Sequence, residues 1–131
     1  MIKVSCAVLL AGGKVLVAQR SETMSHPLKW EFPGGKVEKG ESEEGSLIRE
    51  ITEELEVEID IKNRLSPVMH SYGDKTILLI PFIAQIARGE IKLKEHKAYL
   101  WLAPGELLQL DWAEADLPIV QELISLFPRL V

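Results

Sequence analysis

The chain has 131 residues, 47% apolar and 27% charged, a balance that suits one ordinary domain over 1–131 and disfavours disordered or fibrous architecture. Its net charge of −5 argues against a basic surface for nucleic-acid polymers, and a lone cysteine, Cys6, excludes an internal disulfide and a cysteine-based zinc site. No apolar run approaches the ~20 residues of a transmembrane helix, so no membrane partner is expected.

Residues 4–11 form a β-rich apolar run that ends at Gly12-Gly13 and is answered by a second run at 15–18, which predicts a β-hairpin. Lys3 followed by that run imitates a short signal peptide, but the answering run favours a strand, and a cytoplasmic protein is expected. Residues 20–29 are polar, contain Pro27 and read as a loop, while 30–35 is a short extended piece broken by Pro33 and two glycines. A helix is predicted over 42–55, where Leu47, Ile51 and Leu55 recur every four residues. Ser42 can cap it, and Glu43 and Glu44 suit the dipole of its first turn. Residues 57–61 and 67–71 read as extended, 76–87 as a long buried strand, and 88–89 as a turn. The stretch 90–94 alternates, 99–102 is a further strand, and 117–127 is a second helix. Strands before, between and after two helices indicate a mixed α/β sandwich.

Charge is unevenly distributed. Residues 38–60 hold ten acids against only Lys39 and Arg49, a local charge of −8, and the rest of the chain carries +3. On the first helix Glu50, Glu53 and Glu54 stand at i, i+3 and i+4, which is expected to crowd their carboxylates on one face beside the apolar stripe. Like-charged neighbours at that spacing cost about 0.2–0.5 kcal/mol per pair, a penalty that a divalent cation reverses. Oxygen-only donors favour Mg²⁺ or Mn²⁺ over zinc. The competing reading is a solvated acidic face. Gly34-Gly35 lets backbone approach closely, so a free carbonyl there could join a metal shell, and Arg49 can pair with Glu53 at i+4.

Gly35, five residues, Glu41, seven residues, Arg49-Glu50-Ile51-Thr52-Glu53-Glu54 and then Val57 together resemble the Nudix box. The one departure is Glu56, where the pattern has a glycine near the helix end. Outside the box, the strand ending in Arg20 and the stretches 28–38 and 110–118 resemble the MutT-type branch, most of all its CTP pyrophosphohydrolase and oxidised-dGTP diphosphatase group. The resemblance implies a Nudix-type α/β/α sandwich with a mixed sheet and two main helices. It also implies Mg²⁺-dependent cleavage of (d)GTP- or (d)CTP-type nucleoside triphosphates, ordinary or oxidised, to monophosphate and pyrophosphate, in the service of nucleotide-pool sanitation. The alternatives are a dinucleoside polyphosphate or nucleotide-sugar hydrolase, and a non-catalytic domain that senses nucleotides. A monomer or weak dimer is expected.

By the same likeness Glu53 and Glu54 are the principal metal ligands, with Glu50 and the Gly34 carbonyl nearby; Arg49 orients the cluster and Glu41 supports the loop–helix junction. Glu95 reads either as a solvated loop acid or as a catalytic acid over the metals; which of Glu50, Glu53 and Glu95 is the base stays open. Arg20, Lys36 and Lys75 are candidate phosphate contacts, and Phe32 and Tyr72 candidate walls or stacking partners for the base. Trp30, Trp101, Trp112, His26, His70 and His96 read as structural. Asp116 has two readings, the N-cap of the second helix or a base-reading group. An ionised carboxylate only accepts hydrogen bonds, which suits the N1–H and N2–H₂ donors of guanine; cytosine needs one added proton.

Overall fold

The computed structural model describes residues 1–126; positions 127–131, including Phe127 at the expected end of the second helix, lie outside the described residues. Strands β1 (Ile2–Ala11), β2 (Lys14–Gln19), β3 (Trp30–Glu31) and β4 (Gly34–Lys36) precede helix α1 (Glu43–Leu55). Strands β5 (Glu58–Arg64), β6 (Val68–Tyr72), β7 (Lys75–Arg88) and β8 (Ala98–Leu102) follow, then helix α2 (Leu117–Leu126). Short 3₁₀ turns at Pro104–Gln109 and Glu114–Asp116 lead into α2.

The expected hairpin forms with Leu10 opposite Val15, and Gly12 and Gly13 supply the positive φ angles, 56° and 76°, that a two-residue turn demands. The strand order is β3-β2-β1-β7-β5, with β4 on β1, β6 on β7 and β8 on β2. Strands β1 and β7 run parallel and the other pairs antiparallel, so the sheet is mixed. The period of two along β1 decides which residue meets which helix. Ala7 and Leu9 join Leu47, Ile51 and Leu55 of α1, while Cys6, Val8 and Leu10 join Ile119, Val120 and Leu123 of α2. Both faces of β1 are covered, hence its nearly continuous apolar run. The result is the three-layer α/β/α sandwich that the resemblance implied.

Helix α1 begins as expected, with Ser42 Oγ accepting the Gly45 N–H at 2.9 Å. At its other end Glu56 itself adopts the left-handed conformation (φ 58°, ψ 35°), donates its N–H to the Thr52 carbonyl and pairs its carboxylate with Lys94. The turn is therefore kept without glycine. One expectation needs correcting. The alternating stretch 90–94 is not a strand, because the Lys92 and Lys94 N–H groups bond the carbonyls of Leu55 and Glu54 at the end of α1 instead of a sheet edge.

Candidate active site

Strand β4 lies against β1 with Gly34 opposite Cys6 and Gly35 opposite Ser5. The flanking bonds, Ala7 N–H to Pro33 and Val37 N–H to Lys3, set an alternation that turns the Gly34 carbonyl away from β1. A Cβ on Gly34 would overlap the Ser5 carbonyl, and one on Gly35 would overlap the end of the Glu50 side chain. The two glycines thus serve strand contact and carboxylate placement respectively. Gly34→Ala is expected to lower Tm by several degrees, since backbone must move. Gly35→Ala should leave Tm near the parent and reduce turnover, because only the flexible Glu50 carboxylate is displaced. Thermal melts beside kcat measurements separate the two effects.

The three acids share one side of the helix but sit at different depths. At 100° per residue, Glu54 sits about 60° and Glu50 about 100° from Ile51 at the centre of the apolar stripe, whereas Glu53 sits about 160° away. Side-chain exposure follows that order: 6% for Glu54, 17% for Glu50 and 57% for Glu53. Arg49 holds the outer group together. It donates to Glu41 at 2.7 and 2.9 Å, to Glu50 at 2.6 Å and to the Lys36 carbonyl at 3.2 Å, and reaches Glu53 only at 3.4 Å. Glu41 also accepts the Glu38 N–H, and these bonds, Arg49 first, hold its carboxyl down at about 2.

A cavity of about 410 Å³ opens beside these elements. Glu50, Glu54, Glu95 and Gly34 line it on the acidic side; Arg20, Phe32, Lys36, Tyr72, Lys75 and Asp116 line the remainder. Every candidate substrate contact therefore meets every candidate metal donor except Glu53, which stays outside with Arg49. Phe32 is a buried wall packed on Trp112 at 5.0 Å between ring centroids. Tyr72 sits between His26 and His70, at 4.7 and 4.4 Å, and its hydroxyl accepts the Ala115 N–H. Arg20 is already engaged, donating to Glu31 Oε1 at 2.7 Å and to Ser25.

Asp116 is not a helix cap. It is buried in the turn before α2, and its Oδ2 accepts the Phe32 N–H at 2.9 Å. Burial, then the charge of Glu31, pushes its carboxyl well above the usual carboxylate range. The surroundings thus favour the neutral acid more than an acceptor-only reading assumed. Glu54 is shifted the same way, up to about 9, by burial first and then by Glu31, Glu50 and Glu95.

Two polar groups at the site were not assigned to it by the sequence reading, Glu31 being unnamed and His96 read as structural. Glu31 occupies an otherwise aromatic strand segment and lines the cavity, and His96 lies behind it, 2.8 Å from Glu31 Oε2. An acid between Trp30 and Phe32 was the available signal; nothing local marked a histidine 65 positions away as its partner.

The donors suit a hard divalent cation in kind, being carboxylates and a carbonyl. Among the described residues, no three His, Cys, Asp or Glu side chains are gathered closely enough to hold an ion by themselves. That spacing accords with mutual repulsion among carboxylates. It also leaves room for a cation that keeps several waters and takes one or two carboxylates plus substrate phosphates.

Comparison with known proteins agrees with this geometry. The NUDIX domain family model matches residues 1–123. The CTP pyrophosphohydrolase of Escherichia coli (strain K12) is 34% identical over 126 residues, covering 96% of this chain and 93% of the relative. The 8-oxo-dGTP diphosphatase of Proteus vulgaris is 36% identical over 87 residues, 62% of this chain and 72% of that protein. The solution structure of the E. coli ORF135 protein superposes with a TM-score of 0.86 at 33% identity, covering 98% of this chain and 92% of that one. With its acidic helix, glycine strand and shared cavity in place, the chain belongs to the Nudix family of hydrolases.

Proposed function

We propose that this chain is a Mg²⁺-dependent pyrophosphohydrolase, with Mn²⁺ as a possible substitute, that converts (d)CTP- and (d)GTP-type nucleoside triphosphates, including oxidised ones, to monophosphate and pyrophosphate. Nudix hydrolases generally use a divalent metal, and the named relatives act on CTP and on 8-oxo-dGTP. The observation that carries the reading is one cavity whose lining combines oxygen donors (Gly34, Glu50, Glu54, Glu95) with cations (Arg20, Lys36, Lys75) and aromatic walls (Phe32, Tyr72). A monomer or weak dimer is proposed. The nucleotide pool of the cytoplasm, where such triphosphates would be met, is the proposed setting.

Glu50, Glu54 and the Gly34 carbonyl would hold the metal, with Glu53 at the outer rim and Glu95 across the cavity. Bound Mg²⁺ supplies charge neutralisation and Lewis acidity at the phosphates. Arg49 fixes Glu50, and Lys36 and Lys75 face the polyphosphate chain. Water attacks phosphorus, the bridging P–O bond between the α and β phosphates breaks, and Glu50, Glu53 or Glu95 takes the water's proton. A panel of (d)NTPs tests the reading. Turnover of at least one with Mg²⁺ is expected, whereas tight binding of several with turnover of none would make the chain a nucleotide sensor.

Asp116 supplies base selectivity. As a neutral acid it offers a donor and an acceptor, matching the N3 and N4–H₂ edge of cytosine; ionised, it matches the N1–H and N2–H₂ edge of guanine. Burial, with the charge of Glu31, favours the neutral form beyond what a solvated Asp would show. The ratio of kcat/KM for CTP over dGTP should rise as pH falls in the parent. In Asp116→Asn, which supplies donor and acceptor at every pH, it should flatten. A ratio that the substitution leaves unchanged at every pH would remove Asp116 from base reading.

A further inference from the structure

We infer that His96 is a positioning residue for the active site, fixing Glu54 on one side and the Glu31–Arg20 pair on the other through its two ring nitrogens. The imidazole does not line the cavity and its side chain is only 1% exposed. Nε2 lies 2.8 Å from Glu31 Oε2, and the other Glu31 oxygen accepts from Arg20 at 2.7 Å. Nδ1 points at Glu54 Oε2 from 3.6 Å and is buried with no hydrogen-bond partner. A buried orphan of that kind costs about 1–3 kcal/mol and calls for a reason. Here four elements meet at the ring: the end of β2 at Arg20, β3 at Glu31, the end of α1 at Glu54, and the segment carrying Glu95.

That segment is held at both sides of His96. Lys94 donates its N–H to the Glu54 carbonyl at 3.1 Å, and Lys97 donates to the Gln19 carbonyl at 2.9 Å. The ring therefore lies between Glu54 and the Glu31 that holds Arg20, and the residue before it, Glu95, lines the cavity. Partners that orient a metal ligand typically change metal affinity or activity by about 10–100-fold when removed. His96 is placed to act on both halves of the site.

The two nitrogens allow the links to be tested separately. Asn reproduces the reach of Nδ1 and Gln that of Nε2. Direct Mn²⁺ binding, read from the electron paramagnetic resonance signal of the free ion without nucleotide, reports the Glu54 side. KM for CTP or dGTP reports the Arg20 side. His96→Ala should weaken Mn²⁺ binding by about 10-fold or more and raise KM as well. His96→Gln should keep KM near the parent and lose Mn²⁺ affinity, while His96→Asn should do the reverse. Unchanged Mn²⁺ affinity and KM in His96→Ala overturns the inference. So do parallel losses in all variants that follow Tm, or failure of all three to fold, since His96 would then be a packing residue. The inference rests on Glu54 being a metal ligand. A parent that binds no Mn²⁺ overturns that reading and this one together, whereas a parent that binds beside an equally competent His96→Ala overturns this one alone.

Discussion

Glu54→Gln and Glu53→Gln are each expected to lower Mg²⁺-dependent turnover by about 10²-fold or more, the scale of removing one group that stabilises transition-state charge. The two losses should arise differently. Glu54 is buried in the cavity wall and its carboxylate is crowded by Glu31, Glu50 and Glu95. Burial and that crowding hold the carboxyl neutral in the metal-free fold, so Gln removes a metal donor while leaving that fold unharmed, and steadier where rising pH would ionise the acid. Glu53 is half exposed beside Arg49, outside the cavity lining. Its substitution should leave stability unchanged and act only through the loaded site. Steady-state rates of both variants with melts in EDTA check this. Retained Mg²⁺-dependent activity in both would remove the helix acids from the metal site.

The second large effect is on stability against pH. The Glu54 carboxyl is pushed up to about 9 in the folded chain against an ordinary 4.5, so between those values the folded state holds a proton that the unfolded state has released. Stability from this group is full below about pH 4.5 and is lost as pH rises towards 9, at no more than about 1.4 kcal/mol per pH unit. Asp116 is raised too and adds a slope of the same sign above its ordinary range. The lowered carboxyls, Glu22, Glu41 and Glu56, act with the opposite sign but below pH 4.5. Calorimetric Tm in EDTA should therefore fall from pH 6 to pH 9. Mg²⁺ should flatten the fall, because a bound cation favours the ionised carboxylate. Glu54→Gln should reduce it without abolishing it, leaving the Asp116 share. An unaltered slope in that variant contradicts the assignment.

Much of the site was legible because its information is local. The spacing from Gly35 through Arg49 to Glu54 fits one strand, one loop and one helix, and the structure keeps them adjacent. The period of nearly four in α1 likewise named Leu47, Ile51 and Leu55, which became the helix side of one core, whereas the continuous apolar run of β1 did not tell its two faces apart. The wheel of α1 also held the different depths of Glu54 and Glu53, which the i, i+3 and i+4 spacing alone does not resolve. What could not be read was long-range pairing. The Asp116 carboxyl meets the Phe32 N–H across 84 positions, a bond no local motif encodes, and so its helix-cap reading looked sound. Residues 90–94 alternate as a strand would, yet the end of α1 competes for their N–H groups and wins. His96 joins Glu31 and Glu54 only where β3 and the end of α1 are brought against its segment.

The most direct test of the central claim is chromatographic identification of the products made from CTP and from dGTP by the parent chain, with Mg²⁺ and with EDTA. Nucleoside monophosphate and pyrophosphate in equal amounts with Mg²⁺, and no product in EDTA, is the predicted result. Nucleoside diphosphate with orthophosphate, or turnover that survives EDTA, would contradict it.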